Sequence, residues 1–130
     1  MIDARRVDFI GVPVQDLARA DAFYGATLGL RRNPNSGERW VEYETGNVTI
    51  ALISPAAMGD DFEVKPHSMP IALGVDDVDE ARAKLEAAGV ELGRDTIDSG
   101  VCHIAGFTDP DGNAFILHHR YAPFVDETTP

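Results

Sequence analysis

Four histidines are the side chains of this chain best suited to acid–base chemistry or metal binding: His67, His103, His118 and His119. Imidazole titrates near neutral pH, so a histidine that faces a cleft can act as a general acid or base. His118 and His119 are consecutive on a predicted strand and therefore point to opposite faces, so they cannot both bind one ion from that strand. We identify His118 and His103 as the candidate catalytic residues.

A metal site built from His67, His103 and His118 is an alternative that the sequence leaves open. Against this site, the predicted lining around these residues contains no carboxylate. The more ordinary interpretation is that the histidines lie at the surface or at the rim of a cleft and make hydrogen bonds. The sequence accordingly predicts no metal ligand and no cofactor.

No other residue pattern points to a standard reactive centre. Cys102 is the only cysteine, which excludes an intrachain disulfide and a thiolate cluster, and it is expected to be a small apolar residue. The acids at 60, 61 and 63 are typical of a solvated loop, and those at 76–80 of helix capping. The sequence has no Ser-His-Asp spacing, glycine-rich phosphate loop or zinc knuckle.

Composition places the chain among ordinary soluble domains. With 130 residues, 44% of them hydrophobic, it is long enough for one domain with its own core. The net charge of −11 argues against nucleic acid and anionic membranes as partners, because phosphates need a basic surface. No apolar run approaches the roughly 18 residues of a membrane span. Residues 1–7 lack the apolar core of a signal peptide, so we predict a cytoplasmic protein.

The stretch around which the chain is organised is residues 107–119, FTDPDGNAFILHH. Its DPDG segment at 109–112 has the residue types that a type I turn needs at successive positions, followed by a glycine that tolerates positive φ. Residues 114–119 then form the second strand of a hairpin. Because side chains alternate along a strand, Ile116 and His118 are expected to share one face.

Both halves of the chain repeat one plan of strand, helix and further strands. In each half a strand leads to an acid that can cap a helix, Asp16 or Asp77, and the helix ends at a glycine, Gly29 or Gly89. The polar residues 95–100 are predicted to form a turn. The predicted strands are residues 6–14, 39–44, 48–53, 69–75, 101–108 and 114–119. Two similar halves suggest duplication.

The repeat predicts an α+β fold of two βαβββ modules. A half of roughly 60 residues has too little apolar surface to be stable alone. We therefore expect both halves to build one curved mixed β-sheet, with helices on its outer face and a cleft on its inner face. The predicted organisation is a single domain over 1–130, with module one at about 6–55, a linker at 56–67, module two at about 68–121 and a tail at 122–130.

Three stretches of the sequence resemble the vicinal oxygen chelate superfamily of glyoxalases, bleomycin-resistance proteins and extradiol dioxygenases. They are residues 12–30 (VPVQDLARADAFYGATLGL), 71–92 (IALGVDDVDEARAKLEAAGVEL) and 106–119 (GFTDPDGNAFILHH). The resemblance implies the paired βαβββ fold and a homodimer. It also implies the positions of metal ligands, because metal enzymes of the family place one His, Glu or Gln ligand on the first strand and one on the last strand of each half. Those positions here are Phe9, Ala51, Pro70 and Ile116, and none of these side chains has a donor atom for a metal.

Aromatic and apolar residues are predicted to line a ligand-binding cleft where the metal would be. The predicted ligand-binding residues are Phe9, Trp40, Tyr43, Ala51, Pro70, Phe107 and Ile116. An apolar lining with a few polar groups is typical of small-molecule pockets. An alternative use of Trp40 and Tyr43 is packing at a subunit or module interface.

The sequence thus favours a small-molecule binding protein for an apolar or aromatic ligand, with drug or metabolite sequestration as its role. The first alternative is a metal-independent isomerase, cyclase or lyase that uses His118 or His103 as acid or base. The second is a metal-dependent lyase or dioxygenase with a relocated metal site. The expected partners are a small molecule and a second copy of the chain, without nucleic acid or membrane. Whether the protein catalyses a reaction stays open.

Overall fold

Each half of the chain folds around its own four-stranded sheet in the computed structural model, which describes residues 1–61 and 63–123. The chain divides into two units, and the boundary in sequence lies between His67 and Ser68. The predicted single domain and its module bounds stay predictions. The tail predicted at 122–130 lies outside the described residues beyond Pro123.

The first unit has the sheet order β1-β4-β3-β2, with β1 parallel to β4 and the other pairs antiparallel. Asp16 caps the first helix by accepting from the Arg19 amide at 3.1 Å, and Gly29 follows the helical segment with a φ of 70°. Both residues act as the sequence predicts. The elements are β1 (Phe9–Pro13), α1 (Leu17–Ala22), a π-helical turn (Phe23–Thr27), β2 (Arg31–Arg32), β3 (Val41–Glu44) and β4 (Thr49–Ile53).

The second unit repeats this arrangement with the order β5-β8-β7-β6, in which β5 is parallel to β8. Asp77 caps its helix by accepting from the Glu80 amide at 2.9 Å, and Gly89 has a φ of 90°. The predicted turn at 95–100 is partly wrong, because Ile97 and Asp98 pair with β7 as a short edge strand. The elements are β5 (Ile71–Gly74), α2 (Val78–Ala87), β6 (Ile97–Asp98), β7 (Cys102–Thr108) and β8 (Ala114–Arg120).

The turn between β7 and β8 is held by the buried carboxylate of Asp109. This carboxylate accepts hydrogen bonds from the amides of Asp111 and Asn113 at 2.9 Å, and from the Asn113 side-chain nitrogen at 2.9 Å. The Gly112 amide donates to the Asp109 carbonyl at 3.0 Å, and Gly112 has a φ of 90°. The structure confirms the predicted turn.

The π-helical turn that follows α1 accommodates the side chain of Tyr43 from β3. Its wider hydrogen bonding is seen where the Leu28 amide donates to the Phe23 carbonyl at 2.9 Å. The Tyr43 hydroxyl donates to the Asp21 carbonyl at 2.8 Å and to the Asp21 carboxylate, which also accepts from Arg32 Nε at 3.0 Å. Tyr43 therefore links the helical segment to the sheet.

Deprotonation of the Tyr43 hydroxyl should lower the free energy of unfolding at alkaline pH. Burial, followed by its hydrogen bond to the Asp21 carboxylate, raises the pKa of Tyr43 from 10.0 to about 12. A raised folded-state pKa contributes stability that is complete below the unfolded pKa and is lost as pH rises through the folded one. The stability advantage of the wild type over Tyr43→Phe should therefore shrink between pH 10 and 12. Urea unfolding of both proteins across that pH range measures the difference in their free energies of unfolding. A difference that does not change with pH would contradict this prediction.

The α+β class and the two similar modules are confirmed. The hydrogen-bonded strands form one sheet in each half, whereas the sequence analysis predicted one sheet shared by both halves. Within the described residues, none of the helices has the length and apolar character needed to cross a membrane.

Candidate functional site

Each sheet has one face buried against the helix of its own unit and one more open face. In the first sheet the buried face carries Val12, Ile50 and Leu52, which lie among the least exposed residues of the chain. Cross-strand partners share a face, and this assigns the other side chains. The more open face of the first sheet consists of Phe9, Gly11, Pro13, Glu42, Glu44, Thr49, Ala51 and Ile53, of which Ala51 is fully buried.

Phe9 and Trp40 form an aromatic pair on the open face of the first sheet. Their ring centroids lie 5.6 Å apart and their planes are nearly perpendicular, which is the edge-to-face geometry that aromatic rings favour. Phe9 keeps 46% of its surface exposed, and Trp40 is half-buried. The indole Nε1 of Trp40 donates to Glu42 Oε1 at 2.9 Å, which orients the indole ring. An oriented and partly exposed aromatic pair can receive the flat or apolar part of a ligand.

Two carboxylates accompany this pair on the same face. Glu44 accepts from the Thr49 hydroxyl at 2.8 Å and from the Asn33 side-chain nitrogen at 3.1 Å. The hydrogen bond from Thr49, followed by that from Asn33, lowers the pKa of Glu44, so this carboxylate is ionised at neutral pH. The open face of the first sheet therefore combines aromatic surface with negative charge.

The open face of the second sheet is formed by small and aliphatic residues around one histidine. His118 lies between Gly74 on β5 and Ile104 on β7, and Ile116 lies between Ala72 and Gly106. His118 is half-exposed. Its imidazole makes no side-chain hydrogen bond or ion pair within residues 1–61 and 63–123, so both ring nitrogens can serve a ligand.

His103 lies on the other face of the second sheet, where it pairs across the strands with His119. Its Nε2 lies 3.5 Å from the Asp98 carboxylate, and its ring centroid lies 4.8 Å from that of Tyr121. A hydrogen bond from the Gly100 amide, followed by that from the Tyr121 hydroxyl, lowers the pKa of Asp98. The structure thus does not bring the two candidate catalytic histidines, His103 and His118, together.

Tyr43 and Phe107 do not lie on the open faces, which corrects their assignment as ligand-binding residues. Tyr43 pairs with Ile50 and is 1% exposed, and its hydroxyl is held by Asp21. Phe107 pairs with Phe115 and stacks on it with ring centroids 5.5 Å apart. Side chains of directly paired residues share a face, so both aromatics face the covered side of their sheet.

The four positions that carry metal ligands in enzymes of the resembled family hold side chains that do not fit a metal ion. Phe9 and Ala51 lie on the open face of the first sheet, and Ile116 lies on that of the second. Pro70 is exposed and directly precedes β5. Each position offers a ring or an alkyl group, and a metal ion needs nitrogen, oxygen or sulfur donors. Over the described ranges, no group of three or more His, Cys, Asp or Glu side chains is arranged to hold a metal.

Glu42 and Glu44 belong to the open face of the first sheet and were missed by the sequence analysis. A signal for the two glutamates was present, since residues 40, 42 and 44 alternate and must share a face with Trp40 once β3 is a strand.

The sequence model of the Glyoxalase/Bleomycin resistance protein/Dioxygenase superfamily matches residues 6–117. The chain belongs to this superfamily. The match spans both βαβββ modules, so the family resemblance seen in the three sequence stretches is confirmed. No curated protein matches the chain at a significant level.

Solved structures of the superfamily have the same fold. A superfamily member from Sphaerobacter thermophilus is 27% identical, with 90% of this chain and 98% of that one covered and a TM-score of 0.73. TnmS3, an antibiotic binding protein from Streptomyces sp. CB03234, is 27% identical, with 92% and 99% covered and a TM-score of 0.74. A lactoylglutathione lyase from Agrobacterium tumefaciens is 19% identical, with 89% and 94% covered and a TM-score of 0.69, and it supports the fold alone.

Proposed function

We propose that this superfamily member is a binding protein that holds a small apolar or aromatic molecule without a metal ion. The observation that carries the proposal is the Phe9–Trp40 pair on the open face of the first sheet. Phe9 stands at the first-strand position of the metal ligand in family enzymes, and its ring is both oriented by Trp40 and 46% exposed. A large apolar ring that is exposed to water is unfavourable. A ligand that covers the ring removes this apolar surface from water, and this burial favours binding.

The composition of the two open faces supports binding over catalysis. Small-molecule sites combine apolar walls with a few polar groups that fix orientation. On the open face of the first sheet the polar groups are Glu42 and Glu44, and both are already engaged by neighbouring side chains. On the open face of the second sheet the polar group is His118. His118 and His103, the two candidate acid–base groups, are on opposite faces, so they cannot serve one substrate on one face of the sheet. The antibiotic-binding role of TnmS3 agrees with this proposal.

Trp40 provides a direct test, because it is the only tryptophan in the sequence. A ligand on the open face of the first sheet should change its emission in a saturable way, with one site per chain. The titration uses polycyclic aromatic antibiotics and dyes at protein concentrations that reach stoichiometric binding. If the emission changes with no compound of such a panel, the proposed function is wrong.

Phe9→Ala should weaken the affinity for such a ligand by about tenfold, because it removes the more exposed of the two paired rings. The matched control is Met58→Ala, since Met58 is 49% exposed and Phe9 is 46% exposed. The control should bind like the wild type. Equal losses in the two variants would indicate a nonspecific effect of removing surface apolar area, and would contradict a site at Phe9.

The metal-free part of the proposal is tested by elemental analysis of protein purified without added metal. We expect no stoichiometric metal and no rise in Tm when Zn²⁺, Ni²⁺, Mn²⁺ or Fe²⁺ is added, because an ion that binds the native state must raise Tm by mass action. One tightly bound ion per chain, lost on His118→Ala, would support a relocated metal site instead. The homodimer and the cytoplasmic location stay predictions.

A further inference from the structure

A depression beside the first helix lies on the covered side of the first sheet. Its volume is about 460 Å³, and its lining comes from α1, β2, β3 and the loop that precedes β3. Two lining residues, Arg32 and Val41, pair across the strands with Tyr43 and Leu52, so they belong to the face that packs against the helix. The depression is therefore separate from the open face that carries the aromatic pair.

One part of this lining is apolar. Leu17 and Ala18 contribute to it from α1, and Val41 contributes from β3. Leu17 is half-buried and Ala18 is exposed, so these two side chains can cover the aliphatic part of a small molecule. The volume of about 460 Å³ lies within the roughly 300–1,000 Å³ that is typical of small-molecule sites.

The polar part of the lining holds two opposite charges side by side. Arg32 Nε donates to Asp21 Oδ1 at 3.0 Å, and the same oxygen accepts from the Tyr43 hydroxyl. Within residues 1–61 and 63–123 Asp21 Oδ2 accepts no hydrogen bond, and the bond to Asp21 uses one of the five N–H groups of the Arg32 guanidinium. The side chains of Arg32 and Asp21 are 42% and 29% exposed, so a ligand can reach both charges.

The charges of the lining disfavour a ligand that carries a single charge. An anion bound to Arg32 would lie close to the Asp21 carboxylate, and a cation bound to Asp21 would lie close to the Arg32 guanidinium. Glu38 adds a second carboxylate, and its loop is held where the Gly37 amide donates to the Trp40 carbonyl at 2.9 Å. A zwitterion avoids both repulsions, because its anionic group can face Arg32 while its cationic group faces Asp21.

We propose that this depression binds a free α-amino acid with an aliphatic side chain. An α-amino acid carries its ammonium and carboxylate groups on one carbon, so its two charges are adjacent, as are those of Asp21 and Arg32. The carboxylate accepts from the Arg32 guanidinium, the ammonium donates to Asp21 Oδ2, and the side chain lies against Leu17 and Ala18. Glu38 disfavours an acidic side chain. The site is a second one, and it does not depend on the proposed function.

L-Leucine is the probe, and ¹H–¹⁵N NMR gives its affinity from the shifts of the backbone amides of Ala18, Asp21, Arg32 and Gly37. The matched analogues are N-acetyl-L-leucine, which lacks the ammonium group, and L-leucinamide, which lacks the carboxylate. We expect leucine to bind about tenfold more tightly than either analogue, because each analogue has lost one of the two charges. L-Glutamate should also bind about tenfold more weakly than leucine.

Arg32→Gln should weaken the binding of leucine by about tenfold, because it removes the charge that faces the carboxylate. The matched control is Arg31→Gln, since Arg31 lies on the same strand but pairs with Glu44 on the open face. This control should bind leucine like the wild type.

Ala18→Leu tests the site without changing any charge. It places a larger side chain in the depression from an exposed position of α1, and it should weaken leucine binding by about tenfold. The control is Ala22→Leu, because Ala22 is an exposed position of the same helix outside the lining. Leucine should bind to this control as it does to the wild type. Urea unfolding of both variants shows whether the fold is intact.

Three results would overturn the inference. The first is the absence of a saturable amide shift with leucine up to its solubility limit. The second is binding of either analogue as tightly as leucine, which would show a site for a single charge. The third is an equal loss of affinity in Arg31→Gln and Arg32→Gln, which would show a general effect of removing positive charge. The Trp40 titration with aromatic compounds decides the proposed function separately, because Trp40 lies with Phe9 on the open face.

Discussion

Asp109→Ala should lower the free energy of unfolding by about 3–5 kcal/mol, a large share of the stability of a small domain. Asp109 is 4% exposed, and its carboxylate accepts hydrogen bonds from the Asp111 amide and from the backbone and side-chain nitrogens of Asn113. Asn113 is fully buried, so its backbone amide and side-chain nitrogen would lose their partner without gaining water. A buried donor left without an acceptor costs about 1–3 kcal/mol, and hydrogen bonds to a charged group lie at the upper end.

Urea unfolding followed by circular dichroism measures this loss. Asp109→Asn keeps one acceptor oxygen, so its free energy of unfolding should lie between those of the wild type and Asp109→Ala. The control is Asp8→Ala, because Asp8 is exposed and its ion pair with Arg6, at 2.8 Å, is at the surface. Exposed ion pairs contribute little, so this control should be close to the wild type. If Asp109→Ala were no more destabilising than Asp8→Ala, the turn would not depend on the carboxylate.

Gly25→Ala should destabilise the protein by about 1–3 kcal/mol, although alanine is a better helix former than glycine. A Cβ at Gly25 would lie 2.8 Å from the Tyr43 hydroxyl oxygen and 3.6 Å from the ring carbon that bears it. Tyr43 is 1% exposed and its hydroxyl is tied to Asp21, so the ring has no free direction in which to move. Steric overlap therefore outweighs the gain in helix propensity.

The double variant Gly25→Ala/Tyr43→Phe tests this cause. Tyr43→Phe alone should cost about 1 kcal/mol for the lost hydrogen bond, and it removes the atom that meets the new Cβ. The double variant should therefore be more stable than the sum of the single losses predicts, by about 1 kcal/mol. Additive losses, or a stabilising Gly25→Ala, would show that Tyr43 is not the obstacle.

The sequence was sufficient for the features whose causes lie within a few residues. The DPDG turn is a local structure, because Asp109 bonds to residues two and four positions away. The caps Asp16 and Asp77 and the C-terminal glycines Gly29 and Gly89 are local for the same reason. The α+β fold of two modules follows from these signals together with the repeated pattern, and the superfamily was inferred from the resemblance of three stretches of the sequence.

The sequence was not sufficient where a face or a partner depends on residues far apart in the chain. Tyr43 and Phe107 were placed on the wrong face, because the register across a hairpin sets the face and the aromatic type does not. The edge strand at Ile97–Asp98 forms only because β7 is there to pair with it. A short polar segment has no periodicity of its own, so only its long-range partner reveals it.

The candidate site shows the same division. The absence of donor atoms at Phe9, Ala51, Pro70 and Ile116 can be read from residue types alone. The pairing of Phe9 with Trp40 and the separation of His103 from His118 onto opposite faces required the folded sheets. The physical reason is that residue type limits the chemistry a side chain can do. Strand register and packing between distant segments determine which side chains meet and which of them face the solvent.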